Sequence, residues 1–195
     1  MSDSTLPPWE PPLAGTETEH IFGSLDRLRA TFRWKVDGLD ATAMHARIPS
    51  SSLSLGGLLK HLAVQEDYAA AVKIAGGSLP PDWDDNGWDG DDDWEFTSGC
   101  QDPPESLYAL YDRAVARSRA LVRQVVADRG LGGDSGVTLG DGTRASIRRV
   151  LFDLLEEYGR HTGHADLIRE AVDGRVGEDP PADWHPVGSP LRPRS

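Results

Sequence analysis

Cysteine is almost absent from this 195-residue chain. Cys100 is the only one, which excludes a disulfide framework and any metal site built from several thiolates. Long apolar runs are absent too. Nothing approaches 18 consecutive apolar residues, so the sequence offers no transmembrane helix. The first fifteen residues have neither the basic start nor the apolar stretch of a secretory signal. Basic residues are few beside the acid, 20 Lys and Arg against 32 Asp and Glu, for a formal net charge of −12. That balance argues against nucleic acid or an anionic membrane as partner, because both need neutralising Lys and Arg. The expectation is a cytoplasmic protein with one domain, long enough to bury a core without covalent staples.

The acid is concentrated. Residues 82–95 hold eight Asp and Glu, no Lys or Arg, and three of the six tryptophans, Trp83, Trp88 and Trp94. Like-charge repulsion and the turn preference of Asp, Asn and Gly predict a long surface loop here, anchored by its tryptophans. Both ends of the chain are rich in proline: Pro7, Pro8, Pro11 and Pro12 at the start, and five prolines in residues 178–195. They read as extended or disordered tails over 1–15 and 177–195.

Four stretches between the tails have helical periodicity. The first opens on a capping box, Thr16-x-x-Glu19, and places Ile21, Leu25, Leu28, Phe32 and Leu39 on one face, with Gly38 as a candidate end. The second starts near Ser52 to Ser54, runs through Leu55, Leu58, Leu62, Ala69 and Val72, and stops at Gly76-Gly77. The third begins at Asp102-Pro103-Pro104-Glu105, where proline gives up an N–H that the first turn does not need, and ends near Gly130. The fourth follows the turn Gly140-Asp141-Gly142 and repeats Ile147, Leu151, Leu154, Tyr158, His161, Ala165, Ile168 and Val172 before Gly174. Val137-Thr138-Leu139 before that turn suit a short hairpin strand. Four amphipathic helices without a strand series predict an all-α protein, most simply a four-helix bundle.

Helix bundles build metal sites from inward-facing side chains. His161 lies on the apolar stripe of the fourth helix, with Glu157 four residues before it and His164 three after. At helical pitch these positions fall within roughly 60° of one another, so the three point the same way. His61, beside Leu58 and Leu62 on the second helix, is the candidate ligand from another element. Gly159 and Gly163 weaken the fourth helix in this region, which suggests room near the backbone for an ion or ligand. Charged Glu156, Arg160, Asp166 and Arg169 are available to orient ligands. The plainer alternative remains open: a histidine on an apolar stripe is often a hydrogen-bonded core residue, and the charged neighbours also read as a solvated flank.

Other chemistry is weakly signalled. The chain has no Gly-x-Ser-x-Gly elbow, phosphate loop, dinucleotide fingerprint or His-Glu-x-x-His. The spacings Asp84-x-Asn86 and Asp89-x-Asp91-x-Asp93 lack the ligand and glycine positions of a calcium loop. Cys100 has no basic neighbour in sequence, so nothing marks it as a nucleophile. His20, His45 and His185 read as surface residues.

A resemblance rests on Asp26-Arg27-Leu28-Arg29, Trp34-Lys35-x-Asp37-Gly38-Leu39, Leu55-Gly56-Gly57-Leu58-Leu59-Lys60-His61-Leu62, and the run from Glu156 through His161, His164 and Glu170 to Asp173-Gly174. In these the chain resembles the DinB/YfiT-like metalloprotein superfamily, in the actinobacterial branch related to mycothiol-dependent maleylpyruvate isomerase and mycothiol S-transferases. The resemblance implies an up-down-down-up four-helix bundle over 16–176 and one divalent metal ion, zinc or nickel. It places the ligands on His61, Glu157 and His161. His164 would be an acid, base or substrate-facing group, or would displace Glu157 from the metal. It further implies a metal-dependent thiol S-transferase or isomerase using mycothiol as co-substrate, acting on small electrophiles in detoxification, with a homodimer as one candidate assembly. The rival is a non-catalytic, stress-related binding bundle whose metal site is structural or vestigial.

Overall fold

A computed structural model describes residues 7, 9–85, 93–138 and 140–188. The chain is mostly helical, as expected, and each periodic stretch starts a long helix. α1 (Glu17–Val36) opens on the expected capping box: Glu19 N–H donates to Thr16 Oγ1, and Thr16 N–H donates to Glu19 Oε2. A single turn, α2 (Ala41–Met44), follows. α3 (Leu55–Asp67) is capped by Ser54, whose Oγ accepts from the Gly57 N–H at 3.1 Å. Where one α-helix was expected to run on through Val72, the backbone passes after Asp67 into π-helical winding over Tyr68–Ile74.

The acidic stretch departs from the loop expectation at both ends. It holds two short helices, α4 (Asp82–Asp85) and α5 (Trp94–Ser98). Burial of Trp83 and Trp94 outweighs charge repulsion there, and Arg113 and Arg117 donate to the Asp82 carboxylate. Trp83 and Trp94 anchor this segment as anticipated. Trp88, Leu139 and the calcium-like spacing around Asp89 and Asp91 lie outside the described residues.

α6 (Pro104–Arg129) is followed by an antiparallel pair, β1 (Asp134–Thr138) and β2 (Arg144–Ser146), and then by α7 (Ile147–Asp173), which ends at Gly174 with φ +78°. α1 and α7 run in the same direction. Arg148 meets Glu17 at one end, and Arg169 meets the carbonyls of Lys35 and Asp37 at the other. α3 and α6 also run together, with Lys60 on Asp102 and Arg117 on Asp67. They oppose the first pair, because Tyr108 of α6 meets the end of α1 at Val36 while Arg119 reaches back to Asp26. No helix among the described residues is long and apolar enough to cross a membrane.

The core is largely apolar, but it also holds buried charged side chains, Glu66 and Arg29 among them. Glu66 of α3 is fully buried and takes a two-pronged bond from Arg29 of α1, 2.6 Å from Nε and 2.7 Å from Nη2. The Tyr158 hydroxyl of α7 donates to the same carboxylate at 2.6 Å and pairs with the Tyr111 hydroxyl of α6 at 2.9 Å. Burial pushes both phenols upward, so both stay neutral at physiological pH.

The C-terminal stretch, expected as a loose tail, is tied to α1 among its described residues. Asp179 accepts from Arg27, Trp184 Nε1 donates to Asp37, and the Val187 carbonyl accepts from Arg33. Specific charge pairing overrides the disorder that a proline-rich composition implies.

Replacing Glu66 with alanine would leave the Arg29 guanidinium buried without its partner. Urea unfolding should show a loss of about 3–5 kcal/mol. Tyr158→Phe, which leaves the ion pair intact, should cost only about 1–2 kcal/mol.

Candidate functional site

α7 presents Glu157 and His161 one turn apart, and α3 lays His61 across from them. The Glu157 carboxylate is the meeting point. Its Oε2 lies 3.4 Å from His61 Nε2 and 3.2 Å from His161 Nε2. One ligand atom from each of the three residues falls within 4.8 Å of the others, the only such group among the described residues. The two imidazoles are buried at 8% exposure, while the Glu157 side chain keeps 37% and faces solvent.

Burial, reinforced by the neighbouring His61, pushes the His161 imidazole down from its ordinary 6.5 to about 4. The ring is neutral at pH 7, so one of its two nitrogens carries a lone pair. Two imidazole nitrogens and one carboxylate oxygen are a donor set suited to zinc and its neighbours. Ligand atoms about 2.0–2.1 Å from a tetrahedral centre sit about 3.3 Å apart; the two Glu157 contacts, at 3.4 and 3.2 Å, lie near that spacing, and the ligand nitrogens of the two histidines are within 4.8 Å of each other.

The far side of the site is built by α5. Glu95 Oε1 lies 3.0 Å from His61 Nδ1, and the Phe96 ring stacks on the His61 ring with centroids 4.6 Å apart at 22°. Two glycines let α5 come this close. A methyl group on Gly56 would sit 2.5 Å from the Gly99 carbonyl oxygen, and one on Gly57 would sit 3.0 Å from that of Phe96. One residue before His61, the buried Lys60 ammonium lies 4.1 Å over the Trp94 ring and 2.7 Å from Asp102.

His164 is not one of the three converging residues. Half-buried, it places its Nδ1 3.4 Å from Nδ1 of His161, on the side of that ring away from Glu157.

Several expectations about the surroundings are corrected. Gly159 and Gly163 are exposed on the side of α7 opposite Glu157 and His161, and a methyl group on either would meet nothing within 4 Å, so they make no room at the site. The four charged neighbours pair elsewhere: Glu156 with Arg160, Asp166 with Lys35, and Arg169 with Asp173. Glu95 and Phe96 were missed. Glu95 is one of eight acids in a run, and the only local signal was its position between Trp94 and Phe96. Cys100 has a basic neighbour in space that sequence spacing hid. Arg47 Nη2 is 3.4 Å from its sulfur, and Ser54 Oγ is 3.1 Å away. His45 and His20 hydrogen-bond to the carbonyls of Asp102 and Pro12, and His185 is exposed; none joins the site.

The lowered His161 value has a consequence for stability. The unfolded chain takes up this proton near 6.5 and the folded chain only near 4. Between those values the unfolded state binds more protons, so stability falls as the pH drops through the window. At about 1.4 kcal/mol per unit, the loss is up to about 3 kcal/mol. Urea titrations of metal-free protein across that window should reveal it, and His161→Gln should flatten the decline.

Compared with known proteins, the chain matches the protein-family model described as Mycothiol-S-transferase over residues 20–174. No curated protein matches it.

Proposed function

We infer the function from one premise: this chain belongs to the mycothiol S-transferase family. We propose that it is a divalent-metal-dependent S-transferase that joins a low-molecular-weight thiol, mycothiol, to small electrophiles. The observation that carries this reading is the convergence of His61, Glu157 and His161 from two helices onto one point. These three residues are assigned as the metal ligands in an up-down-down-up four-helix bundle. A divalent ion held there supplies a lowered thiol pKa, and so a nucleophile at neutral pH.

The chain's own residues do the rest. Neutral His161 offers Nε2 without losing a proton first, and this leaves its hydrogen on Nδ1. His164 Nδ1 lies 3.4 Å from that nitrogen, and in this reading it accepts the hydrogen bond and holds the His161 ring in place. A proton taken up at His164 Nδ1 would break this bond. Orientation and acid–base work therefore compete at that nitrogen, and we assign His164 to orientation. Phe96 walls the site with an apolar face, and the partly exposed Glu157 marks the side from which solutes arrive.

Metal analysis of purified protein should give about one divalent ion per chain, lost in His61→Ala and in His161→Ala. Thiol consumption assayed against a panel of electrophiles should depend on that ion. Stoichiometric metal surviving both substitutions would remove the assignment; metal without thiol chemistry would favour a structural site. His164→Ala should weaken metal binding about tenfold while leaving the shape of the pH–rate profile unchanged. Loss of one limb of that profile with unaltered metal affinity would make His164 the acid–base group.

A further inference from the structure

We propose that Glu95, at the end of the acidic segment, is a positioning residue that fixes the tautomer and orientation of His61, and that through it this segment is part of the centre. The proposal rests on the metal reading above and adds a residue which that reading does not include.

Both ring nitrogens of His61 face a carboxylate. Nε2 faces Glu157 at 3.4 Å and Nδ1 faces Glu95 at 3.0 Å. The two carboxylates differ in setting. Glu157 keeps 37% of its side chain exposed, while Glu95 keeps 12%. Either carboxylate could accept from the ring, but the contact at Nδ1 is the shorter and the more buried of the two, so the hydrogen is assigned to Nδ1 and the lone pair to Nε2. That is the nitrogen aimed at Glu157 and His161.

The bond to Glu95 is not a chance surface pairing, because the consecutive residues Trp94, Glu95 and Phe96 all grip the Lys60-His61 pair. Trp94 lies under the Lys60 ammonium, Glu95 holds the edge of the His61 ring, and Phe96 covers its face. Glycine at 56 and 57 gives the backbone approach that this grip needs. A carboxylate behind a metal-binding histidine holds ring and tautomer, and removing such a partner typically costs about 10–100-fold in metal affinity.

Zinc affinity measured by competition with a chromophoric chelator tests the metal arm. Glu95→Ala should bind zinc about 10–100-fold more weakly than the wild-type chain, and Glu95→Gln, which keeps an acceptor oxygen but not the charge, should fall between. Metal-free Glu95→Gln should melt close to the wild-type temperature, which separates positioning from collapse of the fold. Wild-type affinity in both variants would overturn the proposal. Nitrogen-15 NMR of the metal-free wild-type chain tests the positioning without any metal. A hydrogen on His61 Nδ1 that is lost or shared with Nε2 in Glu95→Ala supports it; a hydrogen on Nε2 in the wild type, or one that stays on Nδ1 unchanged in Glu95→Ala, overturns it. A wild-type chain that binds no zinc would defeat the metal reading, while the NMR result still decides the role of Glu95.

Discussion

The carboxylate of Glu66 is the interaction on which the arrangement of the long helices depends. It belongs to α3, accepts both prongs of Arg29 from α1 and the hydroxyl of Tyr158 from α7, and through Tyr158 meets Tyr111 of α6. Apolar packing is tolerant of sliding, because a leucine finds similar neighbours a turn away. A fully buried carboxylate has no such freedom, since any other register leaves a charge unpaired in a low-dielectric interior. Four helices that could pack in several offsets are thus held in one.

That register reaches the site directly. Tyr158 sits between Glu157 and the turn that carries His161, and Glu66 lies five residues beyond His61 on α3. Fixing Tyr158 against Glu66 fixes where the α7 donors fall opposite the α3 donor. The two layers differ in what they do. The inner one is saturated, each polar group satisfied by another, and has nothing left to bind. The outer one brings three donors together with a partly exposed carboxylate, and so keeps capacity to bind. The distinction is one of hydrogen-bond accounting: both layers hold buried polar groups, but only the outer one gathers three potential ligand atoms at a point beside solvent.

Much of this was legible in the sequence because helix periodicity is a local property. The capping box at Thr16, the four-three alternation of α7 and the placement of Glu157 and His161 on one face all follow from spacing. His61 was legible as a candidate because it stands beside the Leu58 and Leu62 line. What escaped is long-range. Arg29 and Glu66 are 37 residues apart, and Glu66 and Tyr158 are 92 apart; no period connects them, and a charge on a helix reads as surface until a partner is known. Glu95 was hidden for a second reason. It belongs to a run whose composition describes a solvated loop, and one buried acid cannot be separated from seven neighbours by composition.

The glycines show the same limit from the other direction. A glycine inside a helix costs on the order of 1 kcal/mol against alanine, so each invites a local explanation. At Gly56 and Gly57 the explanation is a neighbouring backbone: α5 approaches so closely that a side chain would collide with a carbonyl oxygen. At Gly159 and Gly163, closer in sequence to the histidines, nothing lies within 4 Å, and nothing in the structure of one chain accounts for them. Proximity in sequence to the site therefore misassigned the space-making role. The pair that makes room stands a turn before His61 on the other helix, and it makes room for the segment that carries Glu95 and Phe96. Close approach of backbones, absent from any periodic pattern, is what brings the acidic stretch into contact with the centre. The net charge of −12 matters less to the chemistry than one acid of that stretch, Glu95, which the glycines allow to reach His61.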